Sequence, residues 1–196
     1  MLIAIISDIH EDIRNLEKAL NFIHKQGQLK IACLGDIVGY TKKYFDTKHQ
    51  RNANACIEIV RQHCDFVVAG NHDLAAAKKF PGNIKDMDLP EDWFELPEDK
   101  QFESSSGMLW AYDDHEPDIL QKNLEYLQTL RDYDCLDADG SRIMFSHYPF
   151  PDLTGFRSRF IGFAEELNDH FDFMQRKKCR LGFFRPPACR RDTAGW

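Results

Sequence analysis

The first ten residues, from Met1 to His10, read MLIAIISDIH and indicate the fold of the chain. Residues 2–6 form an unbroken apolar run, which is typical of a parallel strand covered on both faces. The run leads directly into Asp8 and His10, whose side chains are of metal-binding type. Because no basic segment precedes this short run, we expect it to be a strand and not a signal peptide.

The same order of elements continues further along the chain. Apolar residues at helical spacing cover 13–23, and Gly27 provides a helix stop. A second strand is predicted at 30–34, a second helix around 55–63 and a third strand at 66–69. This β-α-β-α-β order predicts an α/β fold with a parallel sheet, and such folds place their sites at the carboxyl ends of the strands.

The regular order ends after Asp73. Residues 80–116 contain prolines and many acidic residues, and we interpret them as a loop or cap insertion. Pro117 is predicted to open a helix with a core-facing stripe of leucines at helical spacing, namely Leu120, Leu124, Leu127 and Leu130.

The last part of the chain returns to strands. A hairpin turn at 137–140 is predicted to lead into a strand at 142–145, which is followed by Ser146 and His147. We expect a further helix over 164–178 and a strand over 180–184.

Composition limits the classes of function. The 196 residues fit one domain, and a net charge of −7 argues against binding duplex nucleic acid by phosphate neutralisation. No apolar run approaches the length of a membrane span. The six cysteines form no C-x-x-C pair, so we expect free thiols and a cytoplasmic location.

Metal-binding side chains follow four of the predicted strands. On an extended segment Asp8 and His10 point the same way and can hold one ion together. Asp36 has two oxygens and can bridge two ions, while Asn71 and His147 suit a second ion. Oxygen and imidazole ligands favour Mn, Fe, Zn or Ni.

Two such ions about 3.5–4 Å apart can hold a bridging hydroxide and stabilise an in-line displacement at phosphorus. His72 could then serve as an acid toward the leaving oxygen or as a donor to the phosphoryl group. Asp73 could fix the orientation of His72.

The four motifs D-x-H, G-D, G-N-H-D and S-H, in this order and each after a strand, resemble the calcineurin-like metallophosphoesterase family over residues 2–147. Residues 33–40 are similar to its small bacterial phosphodiesterase and diadenosine-tetraphosphatase-like branch. The resemblance implies a layered α/β/α sandwich over residues 1–184 and two divalent metal ions. It implies metal ligation by Asp8, His10, Asp36, Asn71 and His147, and catalysis by His72 aided by Asp73.

The sequence departs from the family pattern in two places. Glu11 and Asp12 stand where the family often has Gly-Asn, and no Gly-His-x-His motif follows the strand at 180–184. We therefore expect a C-terminally truncated domain in which residues 185–196 are an anomalous tail. A shifted reading frame near Phe184 is our hypothesis, because codons for Arg185 to Cys189 can spell Gly-His-x-His one nucleotide out of register.

The function predicted from these motifs is metal-dependent hydrolysis of a small phosphorylated substrate, with a phosphodiester or a nucleotide pyrophosphate as the candidates. Without the last motif, we expect weaker ion binding and reduced turnover. The alternative is a catalytically impaired fragment or pseudoenzyme that binds metal or phosphate weakly. A protein Ser/Thr phosphatase is a third interpretation.

Overall fold

The computed structural model describes residues 1–27, 29–40, 51–82, 88–110, 117–157 and 161–185. Its first sheet contains three parallel strands in the order β1 (Ile3–Ile6), β2 (Lys30–Cys33) and β3 (Phe66–Val67). Helices α1 (Ile13–His24) and α2 (Ala53–His63) connect these strands. The predicted β-α-β-α-β unit is therefore confirmed.

Both connecting helices begin at a residue whose side chain caps the helix N-terminus. The carboxylate of Asp12 accepts a hydrogen bond from the Asn15 amide at 3.0 Å, and Asn52 does the same for the Ala55 amide at 3.0 Å. Such caps satisfy amides that have no partner within the helix. The inward face of α1 carries Leu16, Leu20 and Ile23, which are buried against the sheet.

The segment after β3 contains helices that the sequence did not predict. Helix α3 (Asn71–Ala76) starts directly after Gly70, and α4 (Glu98–Ser104) lies within the part interpreted as a loop or cap. A 3-10 turn at Trp93–Glu95 precedes α4. The Trp93 side chain is buried, with its ring centroid 5.8 Å from that of Phe80 and 6.2 Å from that of Phe156.

The second sheet combines a hairpin with a parallel strand. Strands β4 (Tyr133–Ala138) and β5 (Ser141–Ser146) are antiparallel around the predicted turn, and β6 (Leu181–Phe183) pairs parallel to β5. Helix α5 (Gln121–Thr129) precedes this sheet, and α6 (Asn168–Arg176) lies between β5 and β6.

The two sheets face one another through a buried apolar layer. Ala32 of β2 forms one buried cluster with Ile143 and Phe145 of β5, and the cluster includes Leu34 and Val68, which directly follow β2 and β3. Helices α1 and α2 contribute to the core on the outer side of the first sheet, and α6 packs on the second through Phe173 and Met174 beside Met144. The predicted layered sandwich is confirmed, and its β layer consists of two sheets.

Helix boundaries account for the main local differences from the sequence prediction. Helix α5 begins at Gln121 and not at Pro117, so Leu120 precedes it and is 55% exposed, whereas Leu127 and Leu130 are buried as predicted. The helix predicted over 164–178 is divided into a 3-10 turn at Ala164–Leu167 and the α-helix α6.

Three further expectations concern the chain as a whole. Within the described ranges, no helix combines the length and hydropathy that a membrane crossing requires. The cysteines of the described part are free thiols, while Cys189 lies outside it. The anomalous tail also lies outside the described residues apart from Arg185, so its interpretation stays a prediction.

Candidate metal centre

The loops after β1 and β2 run side by side and form the floor of the site. The Asp8 amide donates to the Gly35 carbonyl at 3.1 Å, and the His10 amide donates to the Asp36 carbonyl at 2.9 Å. Asp8, His10 and Asp36 have φ values of 57°, 46° and 53°. This left-handed backbone, and not the alternation of an extended strand, is what brings Asp8 and His10 together. Strained residues of this kind concentrate at functional sites.

Two glycines allow the strand ends to approach closely enough for a shared site. A Cβ atom on Gly35, where φ is +94°, would lie 2.2 Å from the Gly70 nitrogen. A Cβ atom on Gly70 would lie 2.2 Å from Asp36 Oδ1. This contact places Asp36 against the start of α3, where the His72 amide donates to Asp36 Oδ1 at 3.0 Å.

Asp36 is at the centre of the polar cluster. Its Oδ2 lies 3.2 Å from His147 Nε2 and 3.8 Å from His10 Nε2, and the residue is 1% exposed. Burial alone would raise the pKa of Asp36, but the neighbouring His147 and His72 outweigh it and hold this pKa well below its usual range. Burial likewise opposes the charged form of His147, yet Asp36 raises the His147 pKa to about 9.

Backbone carbonyls fix the orientation of two histidine rings. His10 Nδ1 donates to the Gly39 carbonyl at 2.6 Å, and His147 Nδ1 donates to the Leu34 carbonyl at 2.7 Å. In each ring Nε2 is thereby the nitrogen left for the site. His147 Nε2 is buried 3.2 Å from Asp36 Oδ2, and this pairing is what raises the His147 pKa. An imidazole nitrogen that faces a carboxylate in this way would release its proton when a divalent ion binds.

Two overlapping groups of side chains can hold a metal ion. Asp8, Asp36 and His147 bring one ligand atom each within 4.8 Å of the others, and so do His10, Asp36 and His72. Asp36 belongs to both groups, in line with the predicted bridging role. Carboxylate oxygens and imidazole nitrogens fit a divalent ion such as Mn, Fe, Zn or Ni. The individual assignments to a first or second ion stay predictions.

His72 belongs to one of the two groups that could hold a metal ion, in addition to its predicted catalytic role. Its ring stands perpendicular to that of His10, with 4.9 Å between centroids. Burial lowers the pKa of His72 to about 4, so its ring is neutral near pH 7. His72 also lines a cleft of about 880 Å³, together with Gly39, Phe94 and Leu124. A ligand in this cleft therefore lies against His72.

Asn71 lies close to His147 at the start of α3. The side chain is buried, and its Oδ1 lies 3.4 Å from the position that a Cβ atom on Gly155 would occupy. His147 Cδ2 lies 3.4 Å from that same position. Both residues therefore lie next to Gly155, and the prediction that they share an ion stays a prediction.

Asp73 holds the loops around the site by accepting hydrogen bonds from the backbone. Its Oδ1 accepts from the amides of Ile37 at 2.8 Å and Val38 at 3.2 Å, and its Oδ2 accepts from the Gly70 amide at 3.0 Å. Burial and the nearby Asp36 raise the pKa of Asp73 to about 7. Its predicted part in orienting His72 stays a prediction.

Sequence reasoning gave no definite role to two residues beside the site. Glu11 is buried behind His10, and its carboxylate accepts a hydrogen bond from the Gly39 amide at 2.9 Å. Arg185 follows β6, with its Nε 2.6 Å from Asp8 Oδ1 and its amide 3.0 Å from the His147 carbonyl. The acid next to His10 was a visible signal for Glu11, whereas no local pattern marks Arg185.

The chain is similar to several known proteins. The uncharacterized protein MJ0912 of Methanocaldococcus jannaschii is 30% identical over 163 residues, which make up 78% of this chain and 56% of that protein. A metallophosphoesterase from Sphaerobacter thermophilus is 26% identical, with 75% of this chain and 46% of that chain covered and a TM-score of 0.46. The chain thus spans about half the length of these two relatives.

A third protein is similar in fold. The hypothetical protein PH1004 from Pyrococcus horikoshii OT3 superposes with a TM-score of 0.59 at 16% identity, covering 95% of this chain and 70% of that one. The family model of the calcineurin-like phosphoesterases matches residues 1–181. With the carboxylate and imidazole cluster at its strand ends, this chain belongs to the calcineurin-like phosphoesterases, a family of metal-dependent hydrolases.

Proposed function

We propose that this protein hydrolyses phosphoric diesters or the pyrophosphate bonds of nucleotides, with two divalent metal ions as cofactors. The observation that carries the proposal is the position of Asp36, whose carboxylate belongs to two groups of metal-ligand atoms at once. Asp8, His10, Asn71, His147 and Asp36 would hold the ions. When bound, such ions polarise phosphoryl oxygens and activate water for in-line displacement.

Groups of the protein itself orient the metal-binding histidines and the substrate. The carbonyls of Gly39 and Leu34 hold the rings of His10 and His147 with Nε2 toward Asp36. His72 lines the adjoining cleft, so its neutral ring can donate a hydrogen bond to a phosphoryl oxygen that enters from there. The apolar wall of the cleft, which includes Phe94 and Leu124, can receive the organic part of a small ester.

The test is hydrolysis of bis-p-nitrophenyl phosphate and p-nitrophenyl phosphate with added Mn²⁺, comparing the wild type with Asp36→Ala. We expect metal-dependent release of nitrophenol, faster from the diester, and its loss in the variant. Equal rates for both proteins would contradict the proposal. Isothermal titration with Mn²⁺ in the absence of substrate separates a failure to bind ions from a failure of catalysis.

A second candidate, a phosphoesterase impaired in ion binding, is favoured by the position of Arg185. Its guanidinium lies 2.6 Å from Asp8 Oδ1, so a positive charge already neutralises one of the proposed ligands. A cation that binds Asp8 must therefore displace this ion pair.

Removal of the guanidinium tests this second candidate. If Arg185 impairs the site, Arg185→Gln binds Mn²⁺ at least tenfold more tightly than the wild type does. Arg180→Gln, at an exposed position before β6, is the matched control and leaves the affinity unchanged. Equal affinities of the wild type and Arg185→Gln would remove the support for an impaired site.

A further inference from the structure

Glu11 is a buried acid next to a proposed ligand, and neither metal-binding group includes it. The residue is 4% exposed and adopts a φ of +65°. Its amide donates to the Ile37 carbonyl at 2.9 Å, and its own carbonyl accepts from the Asn52 amide at 3.0 Å. The backbone of Glu11 is thus held from two sides in a conformation that L residues rarely adopt, and such conformations are concentrated at functional sites.

That side chain is directed at Gly39. Glu11 Oε1 accepts a hydrogen bond from the Gly39 amide at 2.9 Å. The carbonyl of Gly39 accepts in turn from His10 Nδ1 at 2.6 Å. A carbonyl oxygen can only accept, so the proton of His10 resides on Nδ1, and Nε2 faces the carboxylates of Asp8 at 3.7 Å and Asp36 at 3.8 Å.

Gly39 also lies next to His72. It has a φ of +68°, and a Cβ atom there would lie 2.9 Å from His72 Nδ1. The position of this one glycine therefore sets the orientation of His10 and the space left for His72. Within the described residues, the carboxylate that anchors the Gly39 amide is that of Glu11.

We infer that Glu11 is a positioning residue for the metal centre: through Gly39 it holds His10 as the Nδ1-protonated tautomer and keeps Nε2 directed at Asp8 and Asp36, where a divalent ion would bind. This inference rests on the proposed metal-dependent function. Partners behind metal-binding histidines fix the ring and its tautomer, and their loss weakens ion binding about 10–100-fold. We therefore expect Glu11 to control ion affinity without touching the ion.

The experiment compares three substitutions in the full chain. Glu11→Gln keeps an oxygen that can accept from the Gly39 amide, Glu11→Met keeps the length without an acceptor, and Glu11→Ala removes both. Mn²⁺ affinity is measured by isothermal titration, and the His10 tautomer is read in the ion-free protein from two-bond ¹H–¹⁵N spectra of labelled histidine. Glu17→Ala, an exposed acid of α1, is the matched control.

We expect the Met and Ala variants to bind Mn²⁺ at least tenfold more weakly and to lose the uniform Nδ1-protonated state of His10. Glu11→Gln and Glu17→Ala should stay within threefold of the wild type and keep the tautomer. Unchanged affinity and tautomer in Glu11→Met would overturn the inference. If Glu11→Ala fails to fold, the Gln and Met pair decides the question.

The tautomer spectra also separate this inference from the proposed function. If the wild type binds no Mn²⁺, the proposed function fails, while a tautomer change in Glu11→Met still supports the positioning of His10. If Mn²⁺ binds and Glu11→Met matches the wild type in both measurements, the inference fails and the proposed function stands.

Discussion

The loops after the first sheet and the loops after the second sheet contribute to one site in different ways. In the first region the backbone sets the geometry. Gly35 lies against Gly70, and Asp73 accepts hydrogen bonds from three backbone amides. In the second region His147 is positioned by a bond to the Leu34 carbonyl, and Arg185 follows a strand of three residues. The first region therefore tolerates little added volume, whereas the second contributes a charged contact through Arg185, whose Nε lies 2.6 Å from Asp8 Oδ1.

The largest effect is expected at the contact between the glycines. Gly35→Ala adds a Cβ atom 2.2 Å from the Gly70 nitrogen at a φ of +94°, where backbone must move. We expect the free energy of unfolding to fall by about 4 kcal/mol, combining overpacking with left-handed strain. Gly140→Ala, in the β4–β5 turn with open space around it, should cost only about 1 kcal/mol. Urea denaturation measures the unfolding free energy of both variants. Similar losses would show that the contact between Gly35 and Gly70 is no tighter than the open turn at Gly140.

The next effect concerns the amides held by Asp73. Asp73→Asn leaves one acceptor oxygen for the amides of Ile37, Val38 and Gly70, and its amide hydrogens meet other donors. At pH 8.5, above the Asp73 pKa of about 7, we expect a loss of about 2–3 kcal/mol in denaturant unfolding. Asp137→Asn on the exposed hairpin should change stability by less than about 0.5 kcal/mol. A loss no larger at Asp73 would mean that these bonds do not hold the loops.

The second region contributes a pH dependence through His170. This residue is buried on α6, its Nδ1 accepts from the Phe150 amide at 3.0 Å, and burial lowers its pKa. Because the folded protein disfavours the proton, His170 stabilises fully above the unfolded pKa of about 6.5 and less as pH falls below it. The unfolding free energy should therefore decline more steeply toward pH 5 in the wild type than in His170→Asn, which keeps an acceptor. Parallel pH curves would exclude this contribution.

The smallest effect is expected at the edge of the second sheet. Phe183 is 39% exposed, and its ring stacks on that of Phe145 with 6.0 Å between centroids. Phe183→Ala should cost about 1 kcal/mol, because much of the ring already contacts water. Phe145→Ala, between the sheets, should cost about 3–5 kcal/mol. Thermal unfolding of both variants measures the two losses of stability. Equal losses would show that the edge of the second sheet is packed like the core.

The sequence predicted those parts that depend on local patterns. Apolar runs and helical spacing were enough for β1, α1, β2 and α2, because each element buries one simple face. The chemistry of Asp8, His10, Asp36 and His147 was visible as polar residues after strands, and the structure brings these side chains together.

What the sequence could not predict depends on contacts between distant segments. The approach of Gly35 to Gly70 and the left-handed φ of Asp8 and His10 arise only when the loops meet. The packing of two sheets through Leu34 and Phe145 likewise has no periodic signal. Helix α4 was missed because its surroundings are rich in proline, although Glu98 and Asp99 in its first turn are a usual helix start.

The hydrogen bond from His147 Nδ1 to the Leu34 carbonyl joins a ring from the second sheet to the backbone after the first. Its length of 2.7 Å leaves little room for the sheets to slide without turning the ring away from Asp36. We therefore expect ion affinity at this candidate site to depend on the spacing of the two sheets. A substitution deep in the apolar layer, far from any charge, should change metal binding when it shifts one sheet against the other.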